Sequence, residues 1–152
     1  MNRFSVTFFS FVFSLFLLSC SEEIMPPETY TIKFGSECGW CAGQEYITIT
    51  STKVEYTRNI PCGDDEGITQ KNKDFCGCDW HTLTTLFDYS LFKKLEYNEC
   101  NVCADGCDEI IEITEDDGSS HELRYTASNK VEGMEDLRQK LNEIMEEMRK
   151  ME

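Results

Sequence analysis

Eight cysteines between residues 38 and 107 constrain this chain more than any other feature. They fall in three groups: Cys38 and Cys41; Cys62, Cys76 and Cys78; and Cys100, Cys103 and Cys107. A ninth, Cys20, stands alone near the N-terminus. An even number of clustered cysteines in an exported chain predicts a disulfide framework. Eight cysteines allow 105 pairings, and spacing alone selects none of them. A bridge from the first group to the third would close a loop of roughly 60 residues, about 4 kcal/mol in the chain-entropy picture. Neighbours within a group are expected often to find partners across the fold rather than beside themselves.

Whether the chain is exported is decided at its start. Arg3 is followed by an uncharged apolar run from Phe4 to Leu18. That run is too short and too terminal for a membrane span and reads as a signal peptide, residues 1–19. It ends in Leu17-Leu18-Ser19-Cys20, which resembles a bacterial lipobox. The resemblance implies cleavage before Cys20 and its modification by diacylglycerol and a further acyl chain such as palmitate. Each buried methylene adds about 0.8 kcal/mol, so several chains hold a domain at a bilayer without a spanning helix. The bland alternative is a plain secretory signal with an unmodified thiol. Ser21-Glu22-Glu23 follows at once and resembles the surface-export signal of Bacteroidetes lipoproteins; read blandly, it is a solvated acidic tether. With Met25-Pro26-Pro27 it makes residues 20–28 a spacer. Residues 29–152 are expected to form one domain.

Arg3 is the only charged residue of the leader. The remaining 133 residues hold 13 of the chain's 14 basic side chains and all 29 acidic ones, a net charge of −16. Nucleic acids and anionic lipid surfaces both require a basic patch, so charge argues against either as a partner.

Alternation of apolar and polar residues marks strands at Tyr30, Ile32 and Phe34, at Ile47 and Ile49, and at Val54 and Tyr56 toward Ile60. Residues 61–78 lack periodicity and read as a long loop constrained by cysteines at both ends. Its Asp64-Asp65-Glu66 lacks the ligand spacing of an EF-hand and reads as a solvated acidic run. Asp79 is placed to cap a helix carrying Trp80, Leu83, Leu86 and Phe87, interrupted at Asp88-Tyr89-Ser90 and continued by Leu91, Phe92 and Leu95. These aromatics suit a core better than a ligand box, and His81 falls on the polar side. Ile110, Ile111 and Ile113 follow the third cysteine group. A hairpin turn at Asp116-Asp117-Gly118-Ser119 then leads to Leu123 and Tyr125, with His121 near the turn. Val131, Met134, Leu137, Leu141, Ile144, Met145 and Met148 define a closing helix, with acidic residues early and Arg149 and Lys150 late. A methionine-rich face can be a partner groove, but here a sheet needs covering. The expected fold is α+β and disulfide-rich: one antiparallel sheet of four to five strands with two helices on one face, in the order β-β-(β)-α-β-β-α.

Two chemical alternatives compete with disulfides. Cys38, Cys41, Cys100 and Cys103 form a CxxC…CxxC set whose following small residues resemble zinc-ribbon knuckles, and four thiolates suit tetrahedral zinc. That reading makes the chain a periplasmic or surface zinc-binding protein. Cys38-Gly39-Trp40-Cys41 could instead do redox chemistry, but a strand-like segment follows it where an activating helix should start. No catalytic set of residues, phosphate-binding loop or paired carboxylates emerges from spacing.

Taken together, the first cysteine group with its strand, the early tryptophan of the middle helix, and Cys103-Ala104-Asp105-Gly106 entering an isoleucine-rich strand resemble small uncharacterised Bacteroidetes lipoproteins. The resemblance implies a lipobox, an α+β domain and no established activity. Transferred to this chain, it makes Cys41–Cys103 the preferred bridge. Such turns often carry proline where this chain has Asn101 and glycine where it has Cys107. Cys62, Cys76 and Cys78 are additional. The functional expectation is a non-enzymatic binding or accessory module held by its lipid at the outer membrane. It would lie on the cell surface or the periplasmic face, with a protein or glycan as partner. Inhibitor and adhesin roles are equivalent at this level.

Overall fold

The computed structural model describes residues 30–151; Cys20 and the expected leader and tether lie outside the described residues. Six strands form one antiparallel sheet: β1 Thr31–Cys38, β2 Gly43–Ile49, β3 Lys53–Ile60, β4 Gly67–Asp74, β5 Cys107–Thr114 and β6 Ser120–Thr126. Their order is β4-β3-β2-β1-β5-β6, so β1 lies inside the sheet between β2 and β5. Three helices complete the fold: α1 Gly77–Thr84, α2 Tyr89–Phe92 and α3 Glu135–Lys150.

Period-2 alternation sends Ile32, Phe34, Ile47, Ile49, Val54, Tyr56, Ile111, Ile113, Leu123 and Tyr125 to one face. There they share a single buried cluster with Trp80, Leu83, Phe92, Leu137, Leu141 and Met148 of the helices. The opposite face is mainly polar. Lys33 pairs with Glu112 at 3.5 Å and lies 4.4 Å from the centre of the Tyr46 ring. The α+β, disulfide-rich expectation therefore holds, while its strand count and helix arrangement do not.

The extra strand is β4, inside the stretch expected to be a loop. Gly67-Ile-Thr-Gln-Lys-Asn-Lys-Asp74 shows no apolar alternation because β4 is an edge strand with little core to cover. Its core-side positions Lys71 and Lys73 serve the C-terminal turn of α3 instead. Lys71 Nζ donates to the Arg149 carbonyl at 3.0 Å and to the Met151 carbonyl, and Lys73 pairs with Glu147 at 2.6 Å. Those carbonyls have no partner within the helix and carry its negative dipole end. Lysines also discourage edge-to-edge pairing with another sheet.

The middle helix is two short helices. Cys76, not Asp79, is the N-cap of α1: its Sγ accepts the Asp79 N–H at 3.2 Å. Asp88 then caps α2, accepting from Ser90 N at 2.7 Å and Leu91 N at 3.1 Å. A residue that caps one helix so well ends continuity with the helix before it. Gly118 has φ +83° in the β5–β6 turn, as expected there. In α3 the methionines face the sheet, with Met145 and Met148 buried. Of the histidines, His81 is exposed, whereas His121 is half-buried against Phe92 and contacts the Leu95 carbonyl at 2.8 Å.

Candidate functional site

At one end of the sheet, the β1–β2 turn, the β3–β4 turn and the segment leading into β5 come together. Three disulfides lie there. Cys38 and Cys107 are register partners on β1 and β5, and their bridge spans 4.1 Å between Cα atoms and 69 residues of sequence. Cys41–Cys62 joins the β1–β2 turn to the β3–β4 turn across 21 residues. Cys100–Cys103 closes its own turn. The fourth bridge, Cys76–Cys78, lies at the opposite end, beyond β4.

These pairings correct two expectations. Cys41–Cys103 does not form. β4 makes a hairpin with β3 beside β2, which carries Cys62 to the β1–β2 turn, while the register of β1 and β5 commits Cys38 to Cys107. Two of the four bridges do join different cysteine groups, while Cys76–Cys78 and Cys100–Cys103 are local. The four residues of the zinc alternative, Cys38, Cys41, Cys100 and Cys103, are divided among three disulfides and do not present four thiolates to one ion. In the chain-entropy picture, the 69-residue bridge contributes about 4 kcal/mol and a two-residue one about 1–2 kcal/mol.

Polar groups reinforce the sulfur at this end. Asp108, the first residue of β5 after Cys107, is 0% exposed. Its carboxylate accepts from Asn101 N at 2.9 Å, Asn101 Nδ2 at 2.8 Å, Val102 N at 3.4 Å and Arg124 Nη1 at 3.4 Å. Burial would raise this carboxyl, but the Asn101, Val102 and Arg124 donors outweigh it and hold it below its ordinary range. Glu99 accepts from Thr126 Oγ1 at 2.7 Å, Thr126 N at 2.8 Å and Asn129 Nδ2 at 2.9 Å; donation from Thr126 lowers its carboxyl as well. Neither acid is discernible as a tie in the sequence. Alternation puts Asp108 on the polar face, and nothing local reveals that the preceding turn folds over it.

On this base stands Trp40. It is 79% exposed and has φ +53°, a conformation unusual for a bulky residue. Its short 3-10 turn, Trp40–Ala42, is fixed on both sides. Before it, Gly39 N donates to the Gly106 carbonyl at 3.0 Å, and a Cβ on Gly39 would lie 3.0 Å from the Asp105 Cα. After it, Gly43 at φ +77° runs so close to β3 that a Cβ would fall 2.1 Å from the Asn59 carbonyl oxygen. Cys41–Cys62 closes the remaining side. Ile68, 69% exposed, lies on β4 opposite Asn59 near the same end. In the sequence Trp40 is only a spacer in a CxxC motif, because its exposure depends on how distant segments fix the turn around it.

The arrangement is a rigid base presenting one large aromatic side chain. Such a surface can stack on or insert into a partner without first ordering a loop. At the other end, Cys76, Cys78 and Asp79 place two Sγ atoms and a carboxylate oxygen within 4.8 Å of one another, with both sulfurs bonded in a disulfide. Among the described residues no helix is long and apolar enough to cross a membrane. The class defined by fold and site is thus a disulfide-stapled α+β domain with an exposed tryptophan. No protein-family model matches the chain, and no curated protein matches it.

Proposed function

We propose that this chain is an exported, lipid-anchored, non-enzymatic binding or accessory module that contacts its partner through the stapled end around Trp40. The observation that carries the reading is Trp40 itself: an exposed indole at positive φ, held between bridges to β5 and to the β3–β4 turn. A backbone conformation that costs free energy persists where the surroundings enforce it, and such residues concentrate at functional sites. Tryptophan is also the side chain most enriched at interface hot spots. The signal peptide and lipobox-like sequence support anchoring through Cys20 at an outer membrane, on its surface or periplasmic face. The resemblance to small Bacteroidetes lipoproteins supports the same placement. The partner is a protein or glycan rather than a nucleic acid, in keeping with the acidic chain.

A photo-crosslinking residue placed at position 40, in the full chain expressed in its native envelope, tests the contact. The same residue at exposed Asn142 on α3 serves as control. An adduct specific to position 40, lost with excess unlabelled protein, is the expected result. Equal labelling from both positions would overturn the assignment of the surface. Separately, Cys20→Ala should abolish palmitate incorporation and release the chain from membranes; retained labelling would refute the anchor.

A further inference from the structure

The bridge between Cys76 and Cys78 does not do what Cys38–Cys107 and Cys41–Cys62 do. It joins residues two apart, so it ties no element to another. Its flanks are held without it. Phe75 is buried and its N–H donates to the Thr52 carbonyl at 2.8 Å, while α1 is seated by buried Trp80 and Leu83. Cys76, Gly77, Cys78 and Asp79 are all exposed, and a Cβ on Gly77 would meet nothing within 4 Å. Coupling between a bridge and a fold is reciprocal: a disulfide that stabilises the fold is protected by the fold to the same extent. Cys38–Cys107 and Cys41–Cys62, spanning 69 and 21 residues, receive that protection; Cys76–Cys78 receives little. Exposed bridges of this kind are the labile or regulatory ones.

Its two sulfurs are also unequal. Cys76 Sγ accepts the Asp79 N–H at 3.2 Å at the start of the eight-residue α1, a donor ready for a thiolate. Cys78 Sγ has no such donor among the described residues. The other local bridge, Cys100–Cys103, lacks this asymmetry: the nearby Asn101 and Val102 amides donate to Asp108. The Asp79 carboxylate opposes charge on both sulfurs, and Lys73, Asp74 and His81 are the other titratable side chains within three residues of them in sequence.

We propose that Cys76-Gly77-Cys78 is a reversible dithiol–disulfide site, reduced by an external dithiol while the fold stays intact. One thiolate of that dithiol attacks Cys78 Sγ. A mixed disulfide forms, the Cys76–Cys78 bond breaks, and its electron pair goes to Cys76 Sγ, where the Asp79 N–H stabilises it. The second thiolate of the external molecule then attacks its own sulfur in the mixed disulfide and expels Cys78. The two protons of the dithiol end on Cys76 and Cys78. The external dithiol is oxidised, and the chain's disulfide is reduced.

The test is a titration of the folded full chain with dithiothreitol at increasing reduced-to-oxidised ratio, followed by maleimide trapping and peptide mass mapping. Cys76 and Cys78 should be half labelled at a ratio roughly tenfold lower than any other pair, with circular dichroism unchanged. Glutathione at limiting reduction should be trapped on Cys78 rather than Cys76. A Cys76→Ser/Cys78→Ser variant, folded as judged by the same spectrum, should lose only the first step of the titration. If Cys100–Cys103 opens first, or if Cys76–Cys78 opens only with loss of structure, the proposal fails. Glutathione found on Cys76 would overturn the order of attack.

Discussion

Asp108 carries a carboxylate into a position that is 0% exposed, and the donors around it keep that group ionised. A carboxyl lowered in the folded state adds stability above its unfolded value near pH 4, and that stability is lost as the pH falls through the lower folded value. Asp108→Asn should therefore lower the melting temperature at pH 7, by the equivalent of about 1–3 kcal/mol. The difference from the unsubstituted chain should close as the pH falls from about 4 through that lower folded value. Melting curves from pH 2 to 7 measure both effects; a gap that persists at low pH would show that packing, not charge, was lost. Trp40 supplies the opposite case. Glycine adopts positive φ freely, so Trp40→Gly should leave stability unchanged or raise it by up to about 1 kcal/mol while removing the proposed contact. A clear loss of stability would mean that the indole packs as a structural group. At this scale the sequence was least informative. Cys76 as a cap, Asp108 as a tie and Trp40 as a projection all depend on what another segment places beside them.

Elements were legible where one face is buried and the other is wet. β1, β2, β3, β5, β6 and α3 all show the period of their own geometry, because each presents a continuous apolar face to the same core. β4 has little such face, and its Lys71 answers the end of a helix 78 residues away in the chain, a relation that no local pattern encodes. The α1–α2 break was visible as Asp88-Tyr89-Ser90, but the apolar spacing on either side disguised it as one helix. Contacts of α3 with the sheet include an ionic one between half-buried Arg138 and buried Glu109: Arg138 Nη2 lies 2.9 Å from Glu109 Oε2, and the Tyr125 hydroxyl donates to Glu109 Oε1 at 2.7 Å. Arg138→Met would leave Glu109, 7% exposed, without its cation and should cost about 3 kcal/mol in denaturant unfolding. Adding Glu109→Gln should recover part of that loss. If the double variant is no better than the single, the guanidinium contributes through packing rather than charge.

Across the whole molecule, the even cysteine count predicted a disulfide framework, and all eight cysteines of the described residues are in bridges. The pairing could not be deduced, because it follows strand order. Once β1 lies beside β5 and β4 beside β3, Cys38 meets Cys107 and Cys62 meets Cys41. The bridges should differ in their worth accordingly. Cys38→Ser/Cys107→Ser should lose about 4 kcal/mol of unfolding free energy, and Cys76→Ser/Cys78→Ser no more than about 2 kcal/mol. Equal losses in urea denaturation would contradict the division between staples and a local bridge.

The direction of β1 sets a polarity for the molecule. The strand begins at Thr31 and ends at Cys38, so whatever precedes residue 30 attaches at the pole opposite Trp40. Eight residues of extended chain separate the two poles by about 25 Å. A leash fastened at the first pole would hold the tryptophan outward, like the tip of a probe on a handle. The local bridge at Cys76 and Cys78 follows β4 back to the handle's side, so the exchangeable sulfurs would face the surface from which the tip points away.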